Sequence, residues 1–132
     1  LNQLHTQNLV AVVLDDDEDT RFAISRILGK CDCDVLEASS VDAAMALMTE
    51  NNVDIVFSDM RIPGEAGGEK LLSAVLKEHP AVDVVLMSCA MDEDARNRYM
   101  KAGALDCLQK PFYKDTCMEI LNRLTIPLKK SA

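Results

Sequence analysis

Apolar residues along this chain keep two alternating rhythms. Leu9-Val10-Ala11-Val12-Val13-Leu14 is an unbroken apolar run, Val-rich and too short for a free-standing helix, so it predicts a strand buried on both faces. Beyond an acidic cluster, Ala23, Ile24, Ile27 and Leu28 return at helical spacing, with Gly29 placed to end that helix. Val35-Leu36-Glu37-Ala38 predicts a weaker strand. Ser40 can cap the next helix, whose apolar stripe is Ala43, Ala44, Leu47 and Met48. The alternation continues with a strand over 53–57, a turn at Pro63-Gly64 and Gly67-Gly68, and a helix through Leu71, Leu72, Val75 and Leu76. A strand over 82–87 precedes a polar, surface-type helix over 92–101. Residues 104–108 predict a last strand, and Cys117, Ile120, Leu121 and Leu124 a last helix. Repeated strand–helix units whose strands are continuously apolar require an α/β fold with a parallel sheet covered by helices on both faces.

At 132 residues the chain accommodates one domain, over 9–125. Residues 1–8 and 126–132 read as frayed ends, the latter also as the start of a linker. The chain opens on Leu1 rather than Met and closes on Lys-Lys-Ser-Ala, which fits a piece excised from a longer protein. With only three Phe, two Tyr and no Trp, the core must be filled by Val, Leu, Ile, Ala and Met. The net charge of −8, without any basic run beyond Lys129-Lys130, argues against nucleic-acid binding by this domain. Five cysteines, an odd count without a CxxC or a nearby His, read as free thiols, Cys31-x-Cys33 included. Free thiols suit a reducing cytoplasm. No apolar run of about twenty residues and no signal peptide is visible, so the chain is expected neither to be exported nor to meet a membrane.

Open parallel sheets bind ligands beyond the carboxyl ends of their strands. After strand one come Asp15, Asp16, Asp17, Glu18 and Asp19; after strand three, Ser58 and Asp59; strand four ends in Ser88 and strand five in Gln109-Lys110-Pro111. Glu18 and Asp19 read as acids favoured at a helix N-terminus, whereas Asp15 and Asp16 sit directly after a buried strand. Crowded carboxylates raise one another's pKa unless a cation joins them. A hard divalent ion with oxygen ligands, Mg²⁺ above all, answers that need. One carboxylate so screened can act as a nucleophile toward phosphorus. Lys110 would then neutralise phosphoryl oxygens and Ser88 would donate a hydrogen bond to one of them.

Together these segments resemble the response-regulator receiver family of two-component signalling. The stretch from Val12 to Arg21 is similar to its first strand and acidic pair. Asp59-Met60-Arg61-Ile62-Pro63-Gly64 with Gly67 looks like its phosphoacceptor loop, Ser88 like its switch hydroxyl, and Lys110-Pro111-Phe112 like its lysine and following proline. The likeness runs from about residue 9 to 124. It implies a doubly wound, flavodoxin-like (βα)5 sheet in the order 2-1-3-4-5, with Asp59 as phosphoacceptor. Asp16 and Asp59 would ligate Mg²⁺, for which Mn²⁺ can substitute, with Asp15 acting through a metal-bound water and the backbone carbonyl of Arg61 completing the set. Lys110 would pair with the phosphoryl group, and the Lys110–Pro111 peptide would be cis.

The same resemblance implies a histidine kinase or phosphotransfer protein upstream and an output domain or protein downstream. The readout face would be helix four, strand five and helix five, through which a homodimer could also form. Its chemistry is Mg²⁺-dependent self-phosphorylation from a phosphodonor and self-dephosphorylation, rather than turnover of a separate substrate. One position departs: where receivers carry an aromatic residue three places before the lysine, this chain has Cys107. Either a pre-set surface or another ring, such as Tyr99, would then replace the usual switch. Two other readings compete. One is a receiver-like interaction module that is not phosphorylated. The other is a phosphatase with an aspartyl nucleophile, which needs a second acid two residues on, where this chain has Arg61.

Overall fold

The computed structural model describes residues 8–61 and 67–125. The turn expected at Pro63-Gly64 and both expected frayed ends, apart from Asn8, lie outside the described residues. In chain order the elements are β1 (Leu9–Leu14), α1 (Glu18–Lys30), β2 (Cys33–Ala38), α2 (Val41–Glu50), β3 (Ile55–Asp59), α3 (Gly68–Glu78), β4 (Asp83–Ser88), α4 (Glu93–Lys101), β5 (Asp106–Gln109) and α5 (Lys114–Asn122), the last running into a 3-10 turn, Arg123–Thr125.

The strands form one sheet in the order β2-β1-β3-β4-β5, and every neighbouring pair is parallel. This is the 2-1-3-4-5 flavodoxin-like order. Side chains alternate across each strand. Val12, Leu14, Val56, Val84 and Leu86 pack on one face against α2, α3 and α4. Ala11, Val13, Ile55, Phe57, Val85 and Met87 pack on the other against α1 and α5. A strand that must be apolar on both faces reads as a continuous run, which is why β1 is legible to the residue. From β1 the chain moves first to one side and then back across to β3. The strand order therefore reverses between β1 and β3, and the crevice of such a sheet opens at their carboxyl ends.

Several boundaries differ from the expected ones. β3 begins at Ile55 instead of Val53. Val53 is buried, but its N–H turns back to Asn51, and the Asp54 carboxylate takes the N–H of Val10. β5 likewise begins at Asp106, two residues later than the apolar pattern places it. β2 begins earlier, at Cys33, because an edge strand can pair while exposing Asp34 and Glu37. Gly29 does not end α1. The helix runs on to Lys30, Cys31 closes it with its N–H on Leu28 O at 3.0 Å, and Asp32 supplies the left-handed residue at φ 64°. Asp is among the few side chains that tolerate that region. Leu76, expected on the apolar face of α3, is 40% exposed.

Candidate functional site

Asp17 caps α1, its carboxylate accepting the Thr20 N–H at 2.8 Å. That turn leaves Asp15 and Asp16 at the end of β1. Asp15 is 1% exposed and fully engaged: its N–H bonds Ala38 O, its Oδ1 accepts the Asp17 N–H at 2.9 Å, and its carbonyl accepts from Arg21 at 2.8 Å. Arg21 in turn pairs with Glu37 on β2 at 3.0 Å. Asp59 is the last residue of β3, opposite Met87 in register. The next residue is pinned by Met60 N–H on Met87 O at 2.8 Å, and the Arg61 N–H approaches Asp59 Oδ1 at 3.3 Å.

Asp15, Asp16 and Asp59 each offer an oxygen, and these oxygens lie within 4.8 Å of one another. Among the described residues this is the one group of three or more acidic, imidazole or thiol side chains close enough to share a metal ion. An all-oxygen set without thiol or imidazole fits a small hard cation such as Mg²⁺. Lys110 follows β5, anchored by its N–H on Ser88 O at 2.8 Å, and its peptide to Pro111 is cis. Its Nζ stands 2.8 Å from Asp15 Oδ2 and 3.6 Å from Asp59 Oδ1. Ser88 is buried at the end of β4, where its Oγ accepts the Ala90 N–H at 3.0 Å and so keeps its own proton for another acceptor.

Burial raises the Asp59 carboxyl above its ordinary range; the Lys110 charge and the Arg61 N–H pull it back only partly, and Asp15 and Asp16 add to the rise. Lys110 is held higher than usual too. Burial works against its charge, but the hydrogen bond and charge of Asp15 and the charge of Asp59 outweigh it. The edge thus carries a more basic carboxylate beside a firmly charged lysine, with negative charge left over for a cation to neutralise.

All the side chains expected at this edge meet there: Asp15, Asp16, Asp59 and Lys110 by distance, Ser88 by its place one step beyond the Asp59–Met87 pair. Arg61 is exposed beside them. Cys107 is 2% exposed and packs in one cluster with Leu86, Ala95 and Tyr99, so the buried ring on this side of the sheet comes from α4. Alongside the acidic edge a groove of about 400 Å³ opens between α1 and the loop after β5, lined by Ile24, Ile27, Cys89, Lys110, Pro111 and Phe112. The sequence reading missed Arg21, and it missed a charged cluster of Arg96, Asp106 and Arg123 on α4, β5 and the final turn. Isolated charges on surface helices carry no periodic signal that would have singled them out.

A family model described as Response regulator receiver domain matches residues 11–122. DNA-binding transcriptional regulator NtrC of Klebsiella pneumoniae is 30% identical over 117 residues, 89% of this chain and 25% of that protein. Response regulator protein PilR of Pseudomonas aeruginosa is 31% identical over 101 residues, 76% of this chain and 22% of that protein. The chain therefore spans about a quarter of the length of these curated relatives. A solved response regulator receiver domain from Clostridium thermocellum superposes with a TM-score of 0.84 at 27% identity, covering 94% of this chain and 99% of that one.

Proposed function

The chain belongs to the response regulator receiver domain family, and from that premise we propose that residues 9–125 act as a phosphorylation-dependent switch in which Asp59 accepts a phosphoryl group. The observation that carries this reading is the meeting of Asp15, Asp16 and Asp59 oxygens within 4.8 Å, with Lys110 Nζ bridging Asp15 and Asp59. Asp16 and Asp59, helped by Asp15 and the Arg61 carbonyl, would hold Mg²⁺. Bound there, the ion would supply charge neutralisation for the phosphoryl oxygens.

The work of the chain's own residues follows from their positions. An Asp59 oxygen forms the new P–O bond while the N–P bond of a phosphohistidine breaks and its imidazole leaves with the electron pair. Burial favours this, because a carboxylate above its ordinary pKa is the better nucleophile. Lys110, 3.6 Å from Asp59, stabilises the transferred oxygens, and the Ser88 hydroxyl donates to one of them. The donor would be a histidine kinase or phosphotransfer protein, and an output domain or protein would read the face built by α4, β5 and α5, where Met100, Tyr113 and Met118 are exposed. Five free thiols suit a cytoplasmic setting. The non-phosphorylated module has only the Cys107 departure on its side and is not favoured, since each acidic residue and the lysine are in place.

The test is labelling of the purified protein by a small phosphodonor, followed by intact mass. With Mg²⁺ the wild type gains one phosphoryl group; with chelator, or as Asp59→Asn, it gains none. A folded wild type that stays unlabelled with Mg²⁺ overturns the reading.

A further inference from the structure

Asp16 is the least supported member of the acidic edge. Both carboxylate oxygens of Asp15 are engaged, Oδ2 by Lys110 at 2.8 Å and Oδ1 by the Asp17 N–H at 2.9 Å. Asp59 has Lys110 and the Arg61 N–H beside it. Asp16 is exposed, and no group among the described residues hydrogen-bonds its carboxylate. Its oxygen nevertheless lies within 4.8 Å of oxygens from both other acids. What holds it there is the backbone.

Two peptide planes meet at the Asp16 Cα, and each is pinned. The plane after it is held by the Asp17 N–H on Asp15 Oδ1. The plane before it carries the Asp15 carbonyl, whose oxygen accepts a hydrogen bond from Arg21 Nη1 at 2.8 Å. A peptide unit is rigid, so fixing both planes sets φ and ψ of Asp16 and with them the direction of its Cβ. Arg21 is itself braced. Its N–H bonds Asp17 O at 2.9 Å, its Nε pairs with Glu37 of β2 at 3.0 Å, and its side chain is only 16% exposed. One planar fork thus joins α1, β2 and the end of β1 through two different nitrogens. At an edge rich in carboxylates, a guanidinium nitrogen committed to an uncharged carbonyl serves geometry more than charge.

We propose that Arg21 is a positioning residue for the divalent cation: braced on Glu37, it holds the Asp15–Asp16 peptide so that the Asp16 carboxylate faces the ion, and it thereby favours a small ion over a large one. This rests on the reading of Asp15, Asp16 and Asp59 as the Mg²⁺ site. Mg²⁺ demands near-ideal octahedral ligands, whereas Ca²⁺ accepts a flexible set. Loosening Asp16 therefore costs Mg²⁺ more than Ca²⁺. Charge alone gives the opposite sign. Removing a cation beside the acidic edge, and leaving Glu37 unpaired, would strengthen the binding of both ions.

Amide NMR titrations with MgCl₂ and with CaCl₂ at constant ionic strength read both affinities without any phosphoryl transfer, and thermal melts confirm that each variant is folded. Arg21→Gln is expected to weaken Mg²⁺ binding about tenfold and Ca²⁺ binding clearly less, so that the preference for Mg²⁺ falls several-fold. Arg21→Lys, whose ammonium reaches one acceptor where the fork reaches two, falls between; it carries the same test if Arg21→Gln does not fold. Arg26→Gln is the control for charge. It removes a guanidinium that lies over the Phe22 ring on the exposed side of α1, and it leaves the preference as in the wild type. Unchanged or tighter Mg²⁺ binding in Arg21→Gln, or equal losses for the two ions, overturns the proposal. A wild type that binds neither ion, or an Asp16→Asn that binds Mg²⁺ as the wild type does, overturns the cation site itself and the proposal with it.

Discussion

Burial, reinforced by Asp15 and Asp16, keeps the Asp59 carboxyl above its ordinary range against the pull of Lys110 and the Arg61 N–H. A folded pKa above the unfolded one means that the folded chain binds this proton more tightly. Asp59 therefore subtracts stability as pH rises past the unfolded value of about 3.9, and the loss is complete above the folded pKa. In the absence of divalent cation, Asp59→Asn is expected to raise Tm at pH 7, with the advantage fading as pH falls below about 4. Calorimetric scans across that range check it, and an equal or lower Tm at pH 7 would contradict it. Asp106 runs the other way. Burial opposes its charge, but the bonds from Arg123, the Cys107 N–H and Arg96 win and hold it below the ordinary range. Its stabilisation is present above the unfolded value and lost as pH falls through the folded one. Asp106→Asn should cost roughly 1–3 kcal/mol in urea unfolding at pH 7, and much less in acid. Of these two carboxylates, only Asp59 was legible beforehand. It ends a buried strand, where the sheet rule directs attention. Asp106 begins one, and its partners lie 10 residues before it on α4 and 17 after it in the final turn, a pairing that folding alone brings about.

At the scale of elements, the sequence was read best where burial is two-sided. β1, with both faces apolar, was placed to the residue; β3 and β5 were each placed two residues early, because Val53 and Ala104 are buried by packing without joining the ladder. Apolarity reports burial, and pairing need not begin where burial does. The helix cap at Ser40 shows the converse: its side chain accepts the Ala43 N–H of the first turn, and a cap is a local signal that survives in sequence. The glycine before α3 does local work of another kind. Gly67 has φ 76°, and a Cβ there would run into the Met60 carbonyl oxygen, which accepts the Gly68 N–H at 2.9 Å. Since Met60 follows Asp59 directly, Gly67→Ala strains the backbone on which the proposed acceptor sits. The expected outcome is a loss of roughly 1–3 kcal/mol together with slower phosphodonor labelling. Ser40→Ala is the matched control: about 1 kcal/mol lost from α2, with labelling unchanged. Equal labelling rates in the two variants would separate Gly67 from the acceptor.

For the molecule as a whole, the question is how a domain carrying a net charge of −8 tolerates three carboxylates at one sheet edge. Lys110 offsets part of that charge, but it is committed to Asp15 first, at 2.8 Å against 3.6 Å for Asp59. The remaining repulsion would make the folded domain a better ligand for a divalent cation than the unfolded chain, in which the three acids drift apart. Whatever binds the folded state alone stabilises it by mass action, about 2.7 kcal/mol at a hundredfold excess over Kd. For a chain of this length that corresponds to a Tm rise of roughly 10 °C. General screening of the acidic surface also stabilises, so the comparison is between MgCl₂ and NaCl at matched ionic strength. The difference between the two salts should be large for the wild type, rise with the logarithm of Mg²⁺ concentration, and all but vanish in Asp16→Asn, which removes a proposed ligand without touching Asp59. The part common to both salts should survive in that variant. A Mg²⁺ response of the same size in Asp16→Asn would mean that diffuse surface charge, not the meeting of Asp15, Asp16 and Asp59, takes up the ion.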